Sequence, residues 1–251
     1  MASPAPGISG TSRRALIVAT SCGSMRKTGD KTGCWCEEVA APYTAFTGAG
    51  YHVDITTPGG TAVPWDPASL EEDTMTAACR QFMADATAQQ KCQAPISLSK
   101  VASGGEYNIV YLAGGHGAMF DFPNNKTLAT CLGAAAAANR VVAAVCHGVC
   151  GLLHVTEPRT GQLLLAGKRA CSFTGEEEIA VGMQKVVPFN LERAVEKCGS
   201  TFVKAPPWTC NVVRDGQLVT GQNPQSSAEL AQECLKAAEE LAGQPETPRP
   251  K

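Results

Sequence analysis

The segment Val141-Val142-Ala143-Ala144-Val145-Cys146-His147-Gly148-Val149-Cys150-Gly151 constrains the architecture of this chain more than any other. Its first five residues are an apolar run, rich in β-branched valine, of the kind a strand buried on both faces requires. The run stops at a cysteine, and a histidine and a glycine follow before small and apolar residues resume as a helix. A strand that turns sharply into a helix sets the residue at the bend over the carboxyl edge of a parallel sheet. Its backbone is strained, and the N–H groups that follow it face whatever its side chain attacks. Cys146 occupies that bend, and the helix N-terminus is expected to favour its thiolate. The competing reading is a buried cysteine that merely ends a core strand.

The flanking pattern repeats the theme. Ala15–Thr20 and Tyr51–Thr57 read as buried strands on either side of a helix over Trp35–Ala49, which is a βαβ unit with a parallel sheet. Residues 70–91 read as helical, Asn108–Ala113 as a third strong strand, and Lys126–Asn139 as the helix leading into the elbow strand. Short strands are expected near Arg169–Ser172, Thr201–Val203 and Asn211–Val213. Gln217–Thr220 pairs as a hairpin across Asp215-Gly216, and Ser226–Leu241 closes the fold as an amphipathic helix. Ligands of open α/β sheets collect at the carboxyl ends of strands, so the loops after Thr20, Ala113 and Val145 are expected to face one another.

With 251 residues, 44% hydrophobic content and net charge −2, the chain can bury a full core and carries no basic footprint for nucleic acid or a membrane surface. No apolar stretch reaches membrane-spanning length. Residues 1–12 lack the apolar core of a secretory signal, although their Ser, Pro and Arg content leaves organelle targeting open. Twelve cysteines are scattered through a chain too large to need staples, which points to free thiols and a cytoplasmic setting. Neither Cys34/Cys36 nor Cys146/Cys150 has zinc-site spacing, so no metal is expected. The expected organisation is one domain over residues 13–242, with flexible segments at 1–12 and 243–251.

Several residues beside the elbow suit thiol chemistry. Gly114-Gly115-His116-Gly117 follows a buried strand directly, and its glycines let backbone approach a substrate. Of four histidines, His52 fits a half-exposed strand position and His154 the end of the elbow helix. His147 neighbours the thiol, and His116 lies in the facing loop, where donation to backbone is the ordinary alternative. Glu37 and Glu38 open a helix about 100° apart, so one at most turns into the pocket. Glu176-Glu177-Glu178 reads first as a solvated cap.

Taken together these segments resemble the DJ-1/PfpI superfamily, and within it the Hsp31-like glutathione-independent glyoxalases (glyoxalase III). The resemblance rests on Lys31-Thr32-Gly33 followed by Glu38, the stretch Gly114–Pro123, Ala144-Val145-Cys146-His147-Gly148, and Asp215–Pro224. It implies a single flavodoxin-like, doubly wound α/β domain of the class I glutamine amidotransferase type, with a mostly parallel sheet and helices on both faces. It implies that Cys146 is the nucleophile and His147 its partner. Glu38, five residues after Gly33, would be the acid at the thiol, and Glu178 the third member of the triad. Cys171-Ser172-Phe173-Thr174-Gly175 departs from the commoner Thr-Gly-Phe-Thr form, which leaves Glu177 as an alternative. Gly114, Gly115 and His116 would bind substrate or its oxyanion.

The implied substrate is a small 2-oxoaldehyde, taken to the hydroxy acid with no cofactor by a monomer or homodimer. A holdase chaperone or protein deglycase, with unfolded clients and Cys146 as redox-sensitive thiol, is the alternative. An amidotransferase is disfavoured because no histidine follows His154.

Overall fold

The computed structural model describes residues 13–101, 103–104 and 106–243; of the segments expected to be flexible at 1–12 and 243–251, all but Gly243, the C-cap of the last helix, lie outside them. The described residues form nine strands and eight α-helices. β1 (Arg14–Val18), α1 (Cys36–Gly48) and β2 (His52–Thr57) build the expected βαβ unit, and β1 pairs in parallel with both β2 and β4 (Ile109–Leu112). β4 in turn pairs with the elbow strand β5 (Val141–Val145). With β3 (Ile96–Ser97) and the antiparallel hairpin β8 (Val212–Asp215) and β9 (Leu218–Gly221), these complete a seven-stranded sheet ordered β3-β2-β1-β4-β5-β9-β8. The hairpin turns across Asp215-Gly216, where Gly216 takes φ +64°.

Alternate residues of each central strand feed opposite cores, as the two-residue period of a strand requires. Ala15 and Ile17 pack against α1, α2 (Ala77–Ala84), α3 (Ala86–Gln93) and α8 (Ser227–Ala242). Leu16 and Val18 pack against α4 (Ala118–Asp121), α5 (Lys126–Ala137) and α7 (Leu191–Lys197). All five residues of β5 are buried. Helices therefore cover both faces, as the doubly wound reading requires, and no described helix is long and apolar enough to cross a membrane.

Several expectations are corrected. The single helix over 70–91 is a 3-10 turn at Pro67–Leu70 followed by α2 and α3, because Asp85 adopts extended backbone between them. Its carboxylate accepts from Thr87 and Ala88 N–H and starts a new helix. The strands expected near Arg169–Ser172 and Thr201–Val203 are two residues each, β6 (Arg169–Ala170) and β7 (Thr201–Phe202), and pair in a separate small sheet. The Glu176-Glu177-Glu178 run opens α6 (Gly175–Ala180), but only Glu176 is solvated. None of the twelve cysteines forms a disulfide.

Candidate active site

The bend after β5 has the strain that the sequence implies. Cys146 takes φ +56°, a left-handed conformation rare for a residue with a β-carbon, and enters a 3-10 helix over Cys146–Leu152. The facing loop approaches equally closely. Gly115 takes φ +89°, and a β-carbon there would stand 2.4 Å from the Gly33 carbonyl oxygen. The Trp35 N–H donates to the Gly114 carbonyl and the Gly117 N–H to that of Gly33. Thr20 Oγ1 and the Ser21 N–H both donate to Asp121, at 2.7 Å each. The loops after β1, β4 and β5 thus converge, as the topology demands.

Four predicted side chains meet at this point. Cys146 Sγ lies 3.3 Å from His147 Nδ1, and His147 Nε2 lies 2.8 Å from Glu178 Oε2. A buried carboxylate only accepts, so His147 carries its proton on Nε2 and presents a bare Nδ1 to the thiol. The other Glu178 oxygen accepts from His116 Nε2, also at 2.8 Å. The two imidazoles lie with ring centroids 4.1 Å apart, and Phe173 covers His147 at 4.4 Å. His116 therefore donates to Glu178 and not to backbone.

Glu38 turns inward and is fully buried, and its Oε2 accepts from the Gly114 N–H at 2.6 Å. That amide is thereby engaged, whereas the Gly115 and His147 N–H groups lie beside the sulfur. Glu37 points away, to Thr76 and Cys79 on α2.

Glu177 and Glu178 take different positions. Glu177 forms a capping box with Thr174. It also accepts from the Trp208 N–H, Gln222 Nε2 and Asn223 Nδ2. Glu178, one residue on, faces the histidines. Trp208, which itself takes φ +61° and packs on Phe173 at 5.7 Å, is part of the site's support that sequence reasoning missed. So are Gln222 and Asn223, although both lie inside the quoted Asp215–Pro224 segment.

Burial governs the protonation states. It pushes Glu38 up to about 8, although the Gly114 N–H and the Cys146 thiol oppose it. Burial and then Glu38 raise Cys146 well above an ordinary thiol, and the His147 and Gly115 N–H groups only oppose this. The expected stabilisation of a resting thiolate by a helix N-terminus is thus corrected: the cysteine is 3% exposed, and desolvation outweighs two amides. His147 is lowered by burial and by neighbouring His116, which keeps it neutral and able to accept a proton. Burial would raise Glu178, but the two histidines overcome it and hold the carboxylate near 2.

Comparison with known proteins matches the sequence model of the DJ-1/PfpI family to residues 36–237. Glyoxalase 3 of Candida albicans is 31% identical over 84% of this chain and 92% of its own. The glutathione-independent glyoxalase HSP31 of Saccharomyces cerevisiae is 30% identical over 90% and 98%. Among solved structures, Rapid Encystment Protein 24 KDa of Francisella tularensis superposes with a TM-score of 0.84 at 33% identity, covering 90% of this chain and 99% of that one. Glyoxalase III of Candida albicans superposes with a TM-score of 0.81 at 28% identity, covering 90% and 97%.

Proposed function

Since the chain belongs to the DJ-1/PfpI family and its curated relatives are glutathione-independent glyoxalases, we propose that it is one too: a lyase converting methylglyoxal to lactate, and glyoxal to glycolate. One observation carries the reading. A cysteine held at φ +56° stands 3.3 Å from a histidine nitrogen whose opposite side is fixed by a carboxylate.

Cys146 gives its proton to His147 Nδ1 as its sulfur bonds to the aldehyde carbon C1. The carbonyl π electrons move to oxygen, and the Gly115 and His147 N–H groups stabilise that oxyanion. The oxyanion takes a proton back from His147, completing the hemithioacetal. His147 then takes the C1 proton and delivers it to the C2 oxygen, giving an enediol; it next takes the proton of the C1 hydroxyl and delivers it to C2 as the C1–O electron pair forms the carbonyl, which leaves a 2-hydroxyacyl thioester. Water attacks the thioester carbonyl and the C–S bond breaks, releasing the hydroxy acid and the thiol. The balance is one aldehyde and one water in, one hydroxy acid out. Glu38 keeps its proton at neutral pH and acts as donor to the sulfur, while Glu178 holds the tautomer of His147.

A thiol only 3% exposed suits a small 2-oxoaldehyde better than an adduct on a folded protein's surface, which favours the glyoxalase over the deglycase. The twelve unpaired thiols suit the cytoplasm.

The test is to incubate pure protein with methylglyoxal without glutathione and identify the product by NMR. Lactate is expected, and Cys146→Ser should abolish it while preserving the fold, since the swap removes a good nucleophile and little volume. Comparable turnover by the serine variant removes Cys146 from the mechanism.

A further inference from the structure

One histidine at the site has no step in the reaction. His116 sits in the glycine loop after β4 with its Nε2 2.8 Å from Glu178 Oε1, while His147 Nε2 stands 2.8 Å from Glu178 Oε2. A base needs one carboxylate partner to fix its tautomer, so a second imidazole on the same carboxylate is surplus to that purpose. Two imidazole nitrogens and a carboxylate aimed at one spot are instead the donor set of a borderline divalent metal. The three donor atoms lie within 4.8 Å of one another, and no other such group of three comes together among the described residues. No cysteine takes part, so the cysteine spacing is silent on it. Nor does any lysine or arginine pair with Glu178 among the described residues to offset its charge.

The shell closes with little movement. A tetrahedral zinc holds its ligands at ~2.0–2.2 Å and so spaces them roughly 3.3 Å apart. The imidazole centroids, 4.1 Å apart, must open by about an ångström for both nitrogens to reach one ion. His147 is the fixed member, 1% exposed, covered by Phe173 and seated beside the strained elbow residue. His116, 13% exposed on the facing loop, is the member that can swing. The second ring nitrogen of a metal-bound histidine ordinarily meets a hydrogen-bonding neighbour. For His147 that neighbour is in place, because Nδ1 lies 3.3 Å from Cys146 Sγ.

We propose that His116 Nε2, His147 Nε2 and one Glu178 oxygen bind a zinc ion, with water as the fourth ligand, and that zinc switches the site off. Each imidazole stays neutral: its proton leaves Nε2, whose electron pair goes to the metal, and a proton is taken up at Nδ1. On His147 the new N–H faces the Cys146 sulfur, in the place from which the base takes the thiol proton. The ring that accepted becomes a donor, and the step that starts turnover has no acceptor. Binding stands on the geometry; the loss of turnover, and only that, rests on the glyoxalase reading.

The experiment titrates full-length protein at pH 7 with zinc chloride against a chromophoric chelator, and repeats it with cobalt(II), whose visible spectrum reports coordination number and ligand type. One ion per chain is expected at this site, four-coordinate and without an intense thiolate charge-transfer band. His116→Gln and Glu178→Gln should each weaken it by more than the ~10–100-fold expected of a residue that merely supports a ligand. Zinc held by the outer thiols Cys22, Cys198 and Cys210 is untouched by His116→Gln and drops out of the comparison. Binding unaltered in His116→Gln overturns the site, as does a thiolate band that disappears in Cys146→Ser. Zinc should inhibit methylglyoxal turnover with the same midpoint as binding, reversibly on adding EDTA, and that midpoint should rise in His116→Gln in step with the lost affinity. Occupancy without inhibition, or inhibition at an unchanged midpoint in His116→Gln, refutes the switch. Absence of turnover before any metal refutes the glyoxalase reading and leaves binding to be judged by the titrations alone.

Discussion

Replacing Glu38 with glutamine should change how stability depends on pH as well as how fast the enzyme turns over. A carboxyl raised from 4.5 to about 8 by burial binds its proton more tightly in the folded chain than in the unfolded one. Its contribution is fully present below pH 4.5 and is lost as pH climbs through about 8, at ~1.4 kcal/mol per pH unit. Across the whole window that amounts to about 5 kcal/mol, and between pH 5 and 8.5 to about 4 kcal/mol. Glutamine has no proton to lose and keeps an oxygen to accept from the Gly114 N–H. Urea unfolding of both proteins, followed by circular dichroism at pH 5, 6, 7 and 8.5, isolates this term, because the other titrations cancel in the difference. Cys146 does not intrude, since it ionises well above the window. The variant should gain steadily on the wild type as pH rises. Its turnover should be lower by ~10²–10⁴-fold, the loss expected for a missing general acid. A stability difference flat with pH would mean that Glu38 is ionised in the folded protein, and the assigned donor role would go with it.

Glu178→Gln should fold near-normally but lose most turnover, because an amide facing His147 Nε2 permits the tautomer that puts the proton on Nδ1, against the thiol; an unchanged rate would show that Glu178 does not fix the tautomer. Glu177→Gln should show the reverse emphasis, with stability reduced by about 1–3 kcal/mol, since every group around Glu177 donates to it and the new NH₂ finds no acceptor. Thermal melts that rank Glu178→Gln as the less stable would contradict this. Gly115→Ala should cost about 3 kcal/mol or more, from positive φ and a β-carbon pressed on Gly33 and Trp35 backbone; a variant that melts within a degree of wild type would refute the close approach.

Much of this was legible in the chain because the signals were local. The valine run, the cysteine and the glycine after it dictate a strand and a strained elbow whatever surrounds them, and the Cys146–His147 contact follows from adjacency. The inward turn of Glu38 and not Glu37 was accessible only through the spacing from Gly33. What stayed hidden depended on partners distant in sequence. Nothing near Glu177 announces that Trp208, Gln222 and Asn223 converge on it, so a buried hub reads as a solvated charge run. Nor does the sequence near Cys146 disclose its desolvation, which reverses the direction in which its thiol shifts. The break at Asp85 was visible in principle as an N-cap residue, but the helical pattern on either side masked it.

The near-complete burial of Cys146 also decides which pool of substrate the protein can see. A cysteine only 3% exposed is a poor target for a tripeptide thiol such as glutathione, which disfavours both thiol exchange and capture of a glutathione-bound hemithioacetal at this site. Where glutathione shares the compartment it then acts as a competing sink that lowers the free aldehyde, and independence from that cosubstrate is a matter of access as much as of chemistry. Flux through such an enzyme should rise as glutathione is depleted, when protection by other routes is failing.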